Sequence, residues 1–175
     1  MTLPRDHAGV LILFVYAFLS NVAMAVVPHE PAVIWYGRTS GVLLTAVVAT
    51  AGTVAASWVD YRLFAAWISR IAASKHSPSW LGKARVAFAR APFFTIALSG
   101  LTPLPFFPFK VLAFAERYPL ACYLSAVALG RFPRYVLLAW LGYTLAIPGW
   151  PFVLLSLLFF LPTLRRFLWP RPNVS

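Results

Sequence analysis

Long apolar runs alternate with short proline-rich interruptions along this chain. The first run, Gly9 to Val27, ends at "PHEP", and only six apolar residues follow before Arg38. A helix needs about 20 apolar residues to cross a bilayer, so the second piece is too short to cross by itself. The pattern predicts a re-entrant helical hairpin over residues 9–40, with Glu30 at its tip.

A second interruption, "SGLTPLPFFPFKVLAF", lies in the other half of the chain. Pro103, Pro105 and Pro108 remove three backbone donors and prevent a continuous helix. An arm of about ten residues lies on each side, which is enough helix for half a bilayer. Residues 91–118 are therefore predicted to form a second re-entrant hairpin. Its irregular backbone is tolerated at membrane depth only beside protein or a wet cavity.

An uninterrupted apolar run follows each hairpin. Residues 41–60 are rich in small side chains and predict a transmembrane helix that its neighbours can approach closely, and residues 120–146 predict another. A run at 150–168 predicts a C-terminal transmembrane helix. A hairpin followed by a span thus occurs twice, a plan typical of inverted-repeat transporters. The expected fold is an all-α integral membrane protein whose two re-entrant hairpins have opposite orientations.

The segment between the two halves, residues 61–90, carries six basic residues and no acidic one. Apolar residues at helical spacing opposite Arg62 and Arg70 predict a basic amphipathic helix on the membrane surface. Anionic lipid headgroups are the partner expected for residues 62–90. A solvated loop is the alternative, because "SKHSPS" is turn-like.

The composition supports a membrane protein. Of the 175 residues 61% are hydrophobic and 11% charged, and the mean hydropathy of +0.79 is far outside the range of a soluble domain. No polar linker divides the chain, so residues 1–175 are expected to form one domain. The net charge is +11. Because the basic residues flank apolar spans, no nucleic acid is expected, and the basic loop and C-terminus are predicted to face the cytoplasm from the plasma (inner) membrane.

Two alternatives stay open at the first apolar run. If Leu11 to Val27 crosses the membrane completely, Glu30 is an exposed loop acid. The sequence "AMA" at residues 23–25 also imitates a signal-peptide cleavage site, although Asp6 and the length of the run argue against cleavage.

Two arginines lie near the centre of the predicted span 120–146. An arginine at that depth costs about 2.5 to 3.5 kcal/mol on insertion scales, so it normally faces a cavity or a partner. Arg131 and Arg134 are three residues apart and share a helix face, and guanidinium groups bind phosphate in bidentate fashion. The alternative is that the span breaks near Pro133 and both arginines snorkel to an interface.

The remaining charges of the apolar segments are candidates for a supporting role. Glu30 is the expected counter-charge for the arginines, or a proton-binding carboxylate. Asp60 ends its span beside Arg62, where an interfacial ion pair is expected, and it is a second candidate for ion coupling. Lys110 and Glu116 flank the return arm of the second hairpin and are expected to pair with each other or with headgroups. The predicted substrate-binding residues are Arg131, Arg134, Glu30, Pro103, Pro105 and Lys110.

No motif indicates catalysis. The chain has no zinc-ligand spacing, no Gly-x-Ser-x-Gly and no paired catalytic carboxylates, and its histidines (His7, His29 and His76) are scattered. Its only cysteine, Cys122, cannot form an intrachain disulfide. We therefore expect no enzyme, no cofactor and no metal.

The stretch "LTPLPFFPFKVLAFAERYPLACYLSAVALGRFPRYVLLAWLGY" resembles the second half of the DedA (SNARE-associated, VTT-domain) membrane protein family. The proline-rich hairpin, the following helix and the "GRxxRY" form carry the resemblance, while "VPHEP" matches the first half more loosely. The resemblance implies opposed re-entrant hairpins and movement of undecaprenyl phosphate or phospholipid between leaflets. It also implies that a membrane acid and paired arginines matter, which maps onto Glu30, Arg131 and Arg134. Ser57 and Asn21 stand where many members carry acids.

The sequence therefore predicts a flippase or scramblase. It would move anionic or phosphate-headgroup lipids between leaflets through a midplane cavity lined by the paired arginines, with proton coupling and homo-oligomer formation left open. The alternative is a membrane-protein assembly partner without transport activity.

Overall fold

A computed structural model describes residues 7–22, 29–73, 79–102 and 106–145. Within those ranges 91% of residues are helical and none is in a strand, which confirms the all-helical fold class. The helices are α1 (His7–Asn21), α2 (Glu30–Ser40), α3 (Val42–Ala72), α4 (Ser79–Arg90), α5 (Pro92–Leu101), α6 (Phe107–Ala115) and α7 (Leu120–Leu145). The predicted C-terminal helix 150–168, the "AMA" sequence, Pro103 and Pro105 lie outside the described residues.

Two helices are long and apolar enough to cross a membrane, namely α3 with 31 residues and α7 with 26. They measure about 46 and 39 Å, compared with about 30 Å for the hydrocarbon core. The other described helices have 15 residues or fewer and are shorter than that core.

Helix α3 corrects the predicted boundary between the span 41–60 and the basic segment 61–90. The helix continues through Asp60 to Ala72, so only α4 remains as a separate basic helix. No glycine or proline occurs between Thr53 and Ala72, and Phe64 and Ile68 pack against the core, so neither the backbone nor the packing ends the helix earlier.

Each long helix follows two short helices, and the second short pair doubles back along α7. Helix α5 leads to Thr102, whose carbonyl contacts Arg134. Helix α6 then returns to Phe114, which packs against Tyr123, about three turns earlier on α7. The ends of the first pair also meet, because Asn21 Nδ2 lies 3.4 Å from His29 Nδ1.

The second short helix of each half packs against the long helix of the other half: α2 against α7, and α6 against α3. Glycine permits the close approach of α2, because a Cβ on Gly142 would collide with the carbonyl oxygen of Ile34. Gly130 is crowded in the same way by the backbone of Ala97 on α5. This interleaving brings the ends of both short pairs together beside the middle of α7.

The bundle exposes many large apolar side chains and buries several polar ones. Its buried residues are largely alanine, serine and threonine, together with Asp60, Lys110 and Arg131. Large apolar side chains face outward, with Phe94 68% and Leu43 65% exposed. Exposed large apolar side chains around a closely packed interior of small and some polar residues are what a lipid environment favours, and the fold is therefore compatible with a membrane protein.

Candidate anion-binding site

Arg134 connects the ends of both short helix pairs. Its Nη2 lies 3.0 Å from Oε1 of Glu30, at the start of α2, and its Nη1 donates to the carbonyl oxygen of Thr102 at 2.8 Å. The structure thus confirms the expected pairing of Glu30 with one of the two arginines. Both side chains keep some exposure, 20% for Arg134 and 26% for Glu30.

A second ion pair lies deeper in the bundle. Lys110 Nζ of α6 is 2.6 Å from Oδ2 of Asp60 on α3, and it also donates to the carbonyl oxygen of Asn21 at 3.1 Å. The side chains are only 6% and 1% exposed. A buried pair of this kind is tolerated when its geometry is good and further hydrogen bonds satisfy the charges, as here.

This pair corrects two predictions. Asp60 was expected in an interfacial pair beside Arg62, but it points into the interior because α3 continues past it and α6 packs over it. Lys110 was expected to pair with Glu116 or with headgroups. Glu116 lies at the far end of α6, where it binds Arg85 instead. Arg85 also donates to the carbonyl oxygen of Ala72 at 3.2 Å.

Arg131 is a buried cation without an acidic partner among the described residues. It is 6% exposed, and its guanidinium carbon lies 5.0 Å from the centre of the Phe106 ring. Its Nη1 donates to the Tyr135 hydroxyl at 3.4 Å, while its Nε has no hydrogen-bond partner in the described part of the chain. A guanidinium group has five N–H donors, and buried charges are normally paired. Within the described residues, Nε of Arg131 is therefore a buried donor that no protein group satisfies.

A chain of polar side chains holds Arg131 in place, and its direction follows from hydrogen-bond geometry. Asn21 Nδ2 donates to the Ala17 carbonyl at 2.7 Å, which identifies it as the amide nitrogen, so the nearby Nδ1 of His29 accepts. Nε2 of His29 then carries the proton and donates to the Tyr135 hydroxyl at 2.5 Å. Tyr135 in turn donates to Thr53 Oγ1 at 2.9 Å. In this arrangement the imidazole is neutral.

Most of the sequence-predicted site residues come together. Arg131, Arg134, Glu30 and Lys110 surround the meeting point of the short helices, joined by Asp60. Helix α7 is continuous through Pro133, so the alternative in which the span breaks there is wrong.

The predicted site residues did not include four members of the site: His29, Thr53, Phe106 and Tyr135. Two of them had a usable signal, because His29 directly precedes Glu30 and Tyr135 directly follows Arg134. Thr53 and Phe106 look like ordinary members of apolar runs. Only helix packing brings Thr53 of α3 to Tyr135 and Phe106, at the start of α6, to Arg131.

The basic residues near α4 divide into two groups. Arg85 is bound to Glu116, and Nε of Arg117 donates to Ser69 Oγ at 3.0 Å, so both connect elements of the fold. Arg62, Arg70 and Arg90 are exposed, and Arg62 lies 5.6 Å from the centre of the Trp58 ring.

No group of three or more His, Cys, Asp or Glu side chains is placed to hold a metal ion within the described ranges. Comparison with protein-family models, curated proteins and solved structures finds no match for this chain.

Proposed function

We propose that this chain is an integral membrane protein that moves lipids with an anionic headgroup between leaflets. The observation that carries the proposal is that Arg131 is a buried cation with no acidic partner among the described residues. It lies inside a bundle that exposes many large apolar side chains. A buried guanidinium group is retained at such a cost where it binds a charged group.

In this proposal α3 and α7 span the membrane, and the two short pairs are re-entrant hairpins that enter from opposite leaflets. Arg131 lies about 16 Å from the start of α7, near the middle of the helix. Both hairpin ends would then meet at mid-depth, where the Arg134 and Lys110 side chains hold them together.

The two ion pairs differ in access, which indicates the path of the headgroup. The Lys110–Asp60 pair is closed to solvent, whereas the Glu30–Arg134 pair is about one-quarter exposed. A headgroup would therefore approach Arg131 past Glu30 and Arg134, while its acyl chains stay in the lipid. Glu30 occupies Arg134 when the site is empty.

The resemblance to the DedA family supports the same function, because the "GRxxRY" arginines are the two that line this site. Undecaprenyl phosphate or a phospholipid is the proposed partner. We place the protein in the plasma (inner) membrane, with residues 62–90 on the cytoplasmic face, where exposed Arg62, Arg70 and Arg90 would contact anionic headgroups.

Leaflet exchange of fluorescent phospholipid and of labelled polyprenyl phosphate, in liposomes that contain the purified protein, tests the proposal. We expect exchange by the natural sequence and its loss in Arg131→Ala. Arg62→Ala removes an exposed arginine outside the site and should exchange lipid normally. Normal exchange by Arg131→Ala would contradict the proposal. No exchange of either lipid by protein shown to be folded would favour the assembly role.

A further inference from the structure

The ionic groups of the site leave one positive charge without a counter-charge. Three cations, Arg131, Arg134 and Lys110, share it with two carboxylates, Glu30 and Asp60. Glu30 pairs with Arg134 and Asp60 pairs with Lys110, and Arg131 is in no ion pair among the described residues. Because these groups lie in the interior, the surplus charge is poorly screened by solvent.

The neighbouring histidine does not change this balance. Nδ1 of His29 accepts from the Asn21 amide nitrogen and Nε2 donates to the Tyr135 hydroxyl, so the ring carries a single proton. A second proton on Nδ1 would face the Asn21 amide hydrogens. The site therefore has a net charge of plus one when it is empty.

We propose that the site selects a headgroup phosphate with one negative charge, a phosphodiester, over a dianionic phosphomonoester, and that Glu30 and Asp60 set this preference. The inference rests on the proposed function and, of its two candidate lipids, favours a phospholipid over undecaprenyl phosphate, which is a phosphomonoester. One negative charge neutralises Arg131, whereas a second would be buried without a counter-charge unless Glu30 or Asp60 gave up its own partner.

The shape of the free donors fits the same ligand. Nε of Arg131 has no described partner, and together with the adjacent Nη2 it forms one edge of the guanidinium plane. Two parallel N–H groups on that edge match the two unesterified oxygens of a phosphodiester. Phe106 covers one side of the guanidinium group, so binding along the edge leaves the cation–π contact intact.

The test compares two fluorescent lipids in the leaflet-exchange assay. Phosphatidylglycerol is a phosphodiester with one charge, and phosphatidic acid is a phosphomonoester that is mostly dianionic at about pH 8. For the natural sequence we expect phosphatidylglycerol to exchange at least about tenfold faster than phosphatidic acid. Burying one uncompensated charge costs enough free energy to slow exchange by at least that factor. Equal exchange of the two lipids would overturn this inference while leaving the proposed function in place.

Charge-altering variants make the test sharper. Glu30→Gln raises the charge of the site to plus two and should shift the ratio towards phosphatidic acid by about tenfold. Glu30→Asp keeps the charge and should keep the natural ratio. The double variant Glu30→Gln with Arg134→Gln restores a net charge of plus one and should restore the preference for phosphatidylglycerol.

The double variant also shows whether the preference depends on the net charge of the site or on a specific contact between Glu30 and the lipid. If the ratio in Glu30→Gln stays at its natural value, the inference is wrong. Should that variant fail to fold, the natural protein is compared at about pH 5, where phosphatidic acid is mostly monoanionic and the preference for phosphatidylglycerol should disappear, and the double variant still reports independently. No exchange of either lipid by folded natural protein would overturn the proposed function and this inference with it.

Discussion

Lys110 and Asp60 form a buried ion pair between the second short helix of one half and the long helix of the other, with 2.6 Å between Nζ and Oδ2. Glu30 and Arg134 form the matching pair in the opposite direction, with the acid now on the short helix and the base on the long one. Each pair therefore joins the two halves. If the short helices exchanged partners, the two acids would face each other on α2 and α3, and the two bases would face each other on α6 and α7.

Removing one member of the deep pair should destabilise the protein strongly. Lys110→Met leaves the Asp60 carboxylate buried without its cation, at an expected cost of about 3 to 5 kcal/mol. The double variant Lys110→Met with Asp60→Leu removes both charges and should recover most of that loss. Thermal unfolding in detergent measures both. A double variant as unstable as the single one would show that the pair contributes through more than its charges.

Tyr135→Phe should loosen Arg131. The hydroxyl accepts from Arg131 and His29 and donates to Thr53, so its removal leaves buried donors unpaired. We expect a loss of about 1 to 3 kcal/mol in unfolding free energy and slower lipid exchange. Tyr143→Phe, on the exposed part of the same helix, is the matched control and should change neither quantity. Unchanged exchange by Tyr135→Phe would mean that Arg131 is positioned without this hydroxyl.

The contact between α2 and α7 should not tolerate a larger residue at position 142. Any side chain at Gly142 meets the backbone of Ile34, which cannot move without shifting α2. Gly142→Leu should therefore destabilise the fold by about 1 to 3 kcal/mol or more. Leu137→Ala changes an outward-facing residue of the same helix and is the control. Equal melting temperatures for the two variants would contradict this account of the packing.

Arg117 adopts an unfavourable backbone conformation, with φ at +49° in the turn after α6. The amide of Tyr118 bonds back to the Ala113 carbonyl at 2.9 Å, a helix end that normally uses glycine. Arg117→Gly should stabilise the fold by roughly 0.5 to 1 kcal/mol, less the small loss of the bond to Ser69. Arg117→Val should destabilise it. Thermal unfolding of both variants checks the sign, and a lower melting temperature for the glycine variant would contradict the prediction.

Local sequence patterns were sufficient to predict where the helices occur but were less reliable for where each helix ends. The proline-rich interruptions predicted two broken segments, and the two long apolar runs predicted α3 and α7, because periodicity and helix breakers act within a few residues. The end of α3 was wrong by 12 residues, since composition changes after Asp60 while helix propensity does not. Basic residues can continue a helix as well as begin a surface segment.

The sequence by itself determined that Arg131 and Arg134 share one face of a central helix and that charges there need a partner, because spacing along a helix and cost in an apolar run are local properties. Only the tertiary structure decided which charge meets which. The packing of α6 on α3 turned Lys110 and Asp60 into a pair across 50 positions of sequence, and Glu30 bound Arg134. Arg131 was thereby left without an ion pair among the described residues, since pairing across the two halves depends on helix packing that no local pattern records.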